Sequence, residues 1–125
     1  MNQDNPFQMP GAWYKGALHV HTTRSDGGLT PEESMAFHRE HGYHFLAVTD
    51  HEVITDLSAA SNATFLNIPG VEVTCGHNAL GQSYHLVLIG IRERVPVPAG
   101  VSLQEAIDRW AAAASVAFLA HPYWS

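Results

Sequence analysis

Cysteine is nearly absent: Cys75 is the only one in 125 residues. An internal disulfide is therefore excluded, and the role expected of Cys75 is that of a small apolar strand residue. Positive charge is also scarce. Six Lys and Arg stand against twelve Asp and Glu, giving a formal net charge of −6, so the basic face that grips nucleic acid non-specifically is not expected. No apolar run reaches the roughly 18 residues of a membrane span, which argues against a membrane partner. The opening stretch MNQDNPFQMPGAW has neither the basic region nor the apolar core of an export signal, so a cytoplasmic location is expected. Charged residues make up 14% and hydrophobic residues 46%, the balance of a globular domain with a real core.

Histidine, by contrast, is abundant, with nine in the chain. His38, His41 and His44 surround one expected helix and His77 sits in a glycine-flanked loop; these read as solvated residues. The other five lie in or at the ends of apolar, strand-like runs. In LHVHTTRSDG, residues 18–27, His19 and His21 alternate with Leu18 and Val20. Strand geometry puts the two imidazoles on one face and the two aliphatics on the other. Taken alone, that pattern fits an edge strand with a polar outer face equally well.

The remaining elements follow from period and caps. Residues 1–15 read as an irregular lead-in and 16–22 as a first strand. Thr30, Pro31 and Glu33 make a capping box with proline at the first helical position, opening a helix to about His41 with Gly42 just beyond it. FLAVTDH, residues 45–51, is too short for a helix and continuously apolar, which suggests a strand covered on both faces. A loop and short helix are expected over 52–64, then a strand after Pro69-Gly70, a turn at GHNALGQS and a return strand over 83–91. Ser102 and Glu105 cap a second helix whose apolar positions keep the 3.6 period, and 116–122 is a fifth strand. Alternating strands and helices predict an α/β domain with a largely parallel sheet of about five strands, its chemistry at the strand ends.

Each of those strands delivers an imidazole or a carboxylate. The set is His19, His21, Asp26, His51, Glu72, His85 and His121. Glu72 lies between two valines, where a carboxylate costs several kcal/mol unless a cation or strong hydrogen bonds compensate. Metal coordination gives all seven one common cause. Nitrogen and oxygen donors without a thiolate cluster suit Zn, Mn or Fe dications, and seven ligands exceed the needs of one ion, so two or three are expected, bridged by Glu72. Asp50 precedes His51, should face away, and is expected to orient an imidazole. Two dications would add about four positive charges locally, leaving an electropositive pocket in an acidic protein. A water bound to such a cation loses its proton near neutral pH and becomes a nucleophile. This describes hydrolysis of phosphoesters or of carboxylic and carbamic esters, with Arg24 a candidate partner for an anionic substrate oxygen.

These residues resemble the motifs of PHP (polymerase and histidinol phosphatase) domains. HVHTTRSDG is similar to their HxHT…SDG opening, VTDH to the second motif, PGVEV to the glutamate motif and LAHP to the next histidine motif. WYKGALHVHTTRSDG with HGYHFLAVTDH looks closest to a branch that includes carbaryl hydrolases. The resemblance runs from Trp13 to the last residue. It implies a distorted (βα)7 TIM-like barrel with a two- or three-metal site at the strand ends, and ligand roles for the seven residues above. The late D-x-H motif of the family has no counterpart. A full barrel takes on the order of 250 residues, so residues 16–125 correspond to a PHP domain truncated at its C-terminal side, roughly its first half. The expectation is a metal-dependent hydrolase, phosphoesterase-like, acting on a small-molecule ester. The alternatives are a carboxylic or carbamic ester hydrolase and an inactive metal-binding fragment.

Overall fold

The structure is a computed structural model that describes residues 5–96 and 100–122. The first four residues of the expected lead-in and the last three of the expected domain lie outside the described residues. Strand β1 is Gly16–Ala17, α1 Pro31–Glu40, β2 Phe45–Val48, β3 Leu66–His77, β4 Ser83–Ile89, α2 Leu103–Ala111 and β5 Val116–Ala120. Short 3-10 turns lie at Pro6–Gln8 and Ser58–Ala60, the latter inside the segment expected to hold a short helix. Among the described residues no helix is long and apolar enough to cross a membrane.

Both helices begin as their caps dictate. The Thr30 hydroxyl accepts from Glu33 N at 3.2 Å and Glu33 accepts from Thr30 N at 2.8 Å. Ser102 and Glu105 make the same reciprocal pair at 3.2 and 2.9 Å. Each box satisfies two backbone donors that a helix start leaves open. Helix α1 ends at His41, and Gly42, at φ +76°, takes the left-handed conformation that lets the chain turn away.

The five strands form one sheet in the order β1-β2-β3-β4-β5. The sheet is mixed, not largely parallel: β1/β2 and β2/β3 pair parallel, while β3/β4 and β4/β5 pair antiparallel. The cause is the short turn after β3, which can only reverse the chain. The first two strands are also shorter than expected. Beyond Ala17 a side chain replaces part of the ladder, with Thr49 Oγ1 accepting from Val20 N at 3.1 Å while Thr49 N donates to Val20 O at 2.8 Å. Beyond Val48 one bridge, His51 to Glu72, continues the pairing. Strand β3 begins earlier than expected and runs through Pro69, whose carbonyl accepts from Gly90 N at 2.8 Å; proline lacks only the donor half of a ladder position.

Side-chain alternation divides the core. Leu46 and Val48 pack towards α1 with Met35. Val71, Val73, Leu86 and Leu88 lie under Ala106 and Trp110 of α2. The opposite sheet face carries Ala47, Val87, Ile89 and Ala120 with Ile68 and Phe118. Since Val71 and Val73 face α2, Glu72 between them faces the other way.

The sheet is curled. In a flat sheet, four spacings of about 4.8 Å would hold the edge strands roughly 19 Å apart. His19, just past β1, and His121, just past β5, have ring centroids 5.9 Å apart.

Candidate metal centre

That curl brings the strand ends onto Glu72. Its side chain is fully buried, and five imidazoles surround its carboxylate. His19 Nε2, His21 Nε2 and His51 Nδ1 approach Oε2 at 3.6, 3.0 and 3.4 Å. His85 Nδ1 and His121 Nε2 approach Oε1 at 3.0 and 3.2 Å. The rings form a closed circuit. Centroid separations run 4.9 Å from His19 to His21, 4.5 Å to His51, 5.3 Å to His85, 5.1 Å to His121 and 5.9 Å back to His19. Asp26, with a side chain 67% exposed, caps one side, its oxygens 3.4 Å from His21 Nδ1 and 3.7 Å from His51 Nε2. All seven residues singled out in the sequence are thus gathered in one place.

The backbone is bent to achieve this. Glu52, directly after His51, has φ +58° and His121 has φ +29°, a region that side-chain-bearing residues seldom occupy. Ala120 packs on the inner face, so regular alternation would send His121 outward; the turn at His121 carries it back. Glu52 is held in its conformation by its own carboxylate, which accepts from Thr74 N at 2.7 Å and pairs with Arg94 at 2.6 Å.

Short as they are, the contacts to Glu72 are not hydrogen bonds. Among the described residues neither Oε1 nor Oε2 has a hydrogen-bond partner, and the same is true of His85 Nδ1. A buried carboxylate without donors is costly. Lone-pair atoms converging on one point without hydrogen-bond geometry are what a cation requires, and the donor set, imidazole nitrogen and carboxylate oxygen without thiolate, fits a divalent ion. Three triads have ligand atoms mutually within 4.8 Å: His19, His21 and Glu72; His21, Asp26 and His51; and His51, Glu72 and His85. His21, His51 and Glu72 each belong to two of them, so the triads are overlapping parts of one centre.

A layer of hydroxyls supports the cluster. His19 Nδ1 lies 3.0 Å from Thr49 Oγ1. Burial pushes the His19 imidazole below its ordinary value; the Glu72 charge opposes this, and His21, His121 and His51 add to it. Asp50 faces away as expected, but it does not touch an imidazole. Its carboxylate accepts from Thr22 N at 2.7 Å, Thr22 Oγ1 at 2.8 Å, Ser25 Oγ at 2.8 Å and Thr55 Oγ1 at 2.7 Å. Burial raises its pKa, but the bonds from Thr55, Thr22 and Ser25 together outweigh burial and hold it below the usual value. Asp50 therefore anchors the loop that carries Asp26, and it reaches His21 only through Ser25 Oγ, 3.4 Å from Nδ1. Thr22, Ser25, Thr49 and Thr55 were not singled out from the sequence; Thr22 and Ser25 lie in the TTRSDG loop and Thr49 two residues before His51, while nothing local marks Thr55.

Arg24 makes its contacts on the loop before β3, donating to Ile54 O at 3.3 Å and Thr55 Oγ1 at 3.4 Å. The histidines read as solvated have local partners: His38 and His41 meet carbonyls of their own helix at 2.7 Å, and His44 Nδ1 accepts from Lys15 N at 2.9 Å.

No family model matches the chain. Two curated relatives do. The chain is 31% identical over 88 residues to a phosphoribosyl 1,2-cyclic phosphate 1,2-diphosphodiesterase of Eggerthella lenta, covering 67% of this chain and 34% of that protein. It is 33% identical over 88 residues to the 5'-3' exoribonuclease Rnm of Salmonella typhimurium, covering 66% and 29%. The chain thus spans about a third of the length of the curated relatives it matches. Among solved structures, an amidohydrolase from Chromobacterium violaceum, bound to sulfate and without metal, is 34% identical with a TM-score of 0.51, over 66% of this chain and 30% of that one. The similarity is to hydrolases in each case.

Proposed function

We propose that the chain is part of a metal-dependent hydrolase of PHP type, acting on phosphoesters through two or three divalent ions held by His19, His21, Asp26, His51, Glu72, His85 and His121. One observation carries this reading: the fully buried Glu72 carboxylate is ringed by five imidazole nitrogens and has no hydrogen bond. The names of both curated relatives, a phosphodiesterase and an exoribonuclease, support phosphoesters as the substrate class. The curled sheet with ligands at its strand ends supports a partial TIM-like barrel.

When bound, such ions activate water for attack and offset the negative charge that grows on the phosphoryl oxygens. The chain supplies the frame for that chemistry. Glu72 presents both carboxylate oxygens, Oε2 towards His19, His21 and His51 and Oε1 towards His85 and His121, which fits a bridging position. Thr49 orients His19, and Asp50 with Ser25 sets the loop bearing Asp26. Asp26 is the exposed member and marks the open side of the centre, where a substrate enters.

The name of the structural neighbour, an amidohydrolase, favours a second reading, hydrolysis of a carboxylic or carbamic ester. Elemental analysis of protein purified without chelators, followed by assays on bis-p-nitrophenyl phosphate, p-nitrophenyl acetate and a p-nitrophenyl carbamate, separates the two. Stoichiometric Zn, Mn or Fe with cleavage of the phosphodiester is expected. Cleavage of the acyl substrates alone would move the assignment to the second reading, and protein that takes up no divalent ion would refute both.

A further inference from the structure

We propose that Gln82 is a substrate-binding residue, donating its amide hydrogens to the hydroxyl-bearing alcohol portion of the substrate in a cavity beside the metal centre. The proposal rests on the phosphoester reading above and adds which kind of ester fits. The β3–β4 turn is closed by Asn78, whose backbone N donates to Gln82 O at 2.8 Å. Asn78 Oδ1 accepts from Leu80 N at 2.9 Å and from Gln82 N at 3.0 Å. Backbone amides only donate, so the side-chain atom they meet is the oxygen, and the Asn78 amide nitrogen takes the other fork. That nitrogen lies 2.9 Å from the Gln82 side chain, which must offer its acceptor, Oε1. The orientation of Gln82 follows by elimination. Its Nε2, with two donor hydrogens, has no partner among the described residues.

Gln82 lines a cavity of about 200 Å³ together with Asn78, Ser83, His85, His121 and Pro122, a space equal to about seven waters' share of the liquid. His85 and His121 belong to both the cavity and the ring around Glu72, so a group in the cavity is adjacent to the centre. Among the described residues no Lys, Arg, Asp or Glu lines it. A second phosphate would call for cationic donors, whereas an amide and a serine hydroxyl match neutral hydroxyls. A sugar-like alcohol has that chemistry.

The test uses the metal-loaded full chain and calorimetric binding of three probes: inorganic phosphate, phenyl phosphate and ribose 5-phosphate. Wild-type protein should bind ribose 5-phosphate roughly tenfold more tightly than phenyl phosphate, the worth of one hydrogen bond in a partly dry site. Gln82→Glu keeps the acceptor that Asn78 needs and removes the donor half, adding a charge that weakens all three anionic probes alike. It should abolish the preference for the sugar while leaving the melting temperature and metal content unchanged. Gln82→Leu should also abolish the preference, with metal content unchanged and a lower melting temperature from the lost Asn78 bond. A wild-type protein without the preference, or a Gln82→Glu variant that retains it, overturns the proposal. If inorganic phosphate also fails to bind, the phosphoester reading falls and takes this proposal with it; phosphate binding without sugar preference removes this proposal alone.

Discussion

At the scale of single residues, hydroxyls decide how the histidines present themselves. Thr49 Oγ1 already accepts from Val20 N, and its own proton can go to Val20 O, 3.4 Å away. With the Thr49 proton on Val20 O, His19 Nδ1 donates to Thr49 Oγ1 at 3.0 Å and Nε2 is left as a lone pair on the side of Glu72. Thr49→Val, nearly the same shape without the hydroxyl, should weaken divalent-ion binding by roughly tenfold, read by competition with a chromophoric chelator, and Thr49→Ser should restore most of it. Asp50 sets a different dependence. Its folded-state pKa lies below the ordinary 3.8, so its stabilisation is complete above that value and is lost as pH falls through the lower, folded value. Asp50→Asn should lose about 1–3 kcal/mol at pH 7 and show a flatter decline as pH falls below 3.8, both measured by denaturant titration. Of this, only the outward direction of Asp50 was legible in the sequence. The partners of Asp50 come together only when the loop of Thr22 and Ser25 folds onto the segment of Asp50 and Thr55, and no local pattern announces that.

At the scale of elements, the gathered residues were legible because each lies in or just beyond a strand and announces itself locally: HVH after β1, DH after β2, VEV within β3, a lone histidine in β4 and AHP at the end of β5. The capping boxes at Thr30 and Ser102 were equally plain, since three-residue spacing is a local rule. What escaped was set by pairing. The parallel half of the sheet follows the expectation, while the antiparallel half follows from the short β3–β4 turn, which reverses β4 against both of its neighbours. His121 escaped the alternation rule through its positive φ. The loop after β1 shows how tightly an element can bind the site. Gly27 N donates to Thr22 O at 2.9 Å, and a Cβ on Gly27 would stand 2.2 Å from His21 O. Neither atom is at the far end of a flexible side chain, so the loop itself must move. Gly27→Ala should therefore displace His21 and Asp26 together, lowering divalent-ion affinity by at least tenfold, while circular dichroism shows both helices intact. Unchanged affinity would mean that the loop's close approach does not position the centre.

At the scale of the whole molecule, one buried carboxylate joins the two edges of the sheet. His19 from the β1 end and His121 from the β5 end meet through Glu72, and without a cation that carboxylate lies out of water with no donor. Any ion bound only by the folded chain stabilises it by mass action, about 2.7 kcal/mol at a hundredfold excess over its dissociation constant, a rise in melting temperature on the order of 10 °C for a domain of this size. Adding Zn²⁺ or Mn²⁺ to chelator-treated protein should produce that rise, and renewed chelation should reverse it. Glu72→Ala should eliminate the increment, because the shared ligand of the centre is gone and the strand ends have nothing to converge upon. Arg24→Ala should keep the increment in full, since the Arg24 guanidinium bonds Ile54 O and Thr55 Oγ1 and none of the ring. Full increments in both variants would show that Glu72 does not bridge. A metal-dependent increment lost in both would place Arg24 within the support of the centre, through Thr55 and its bond to Asp50.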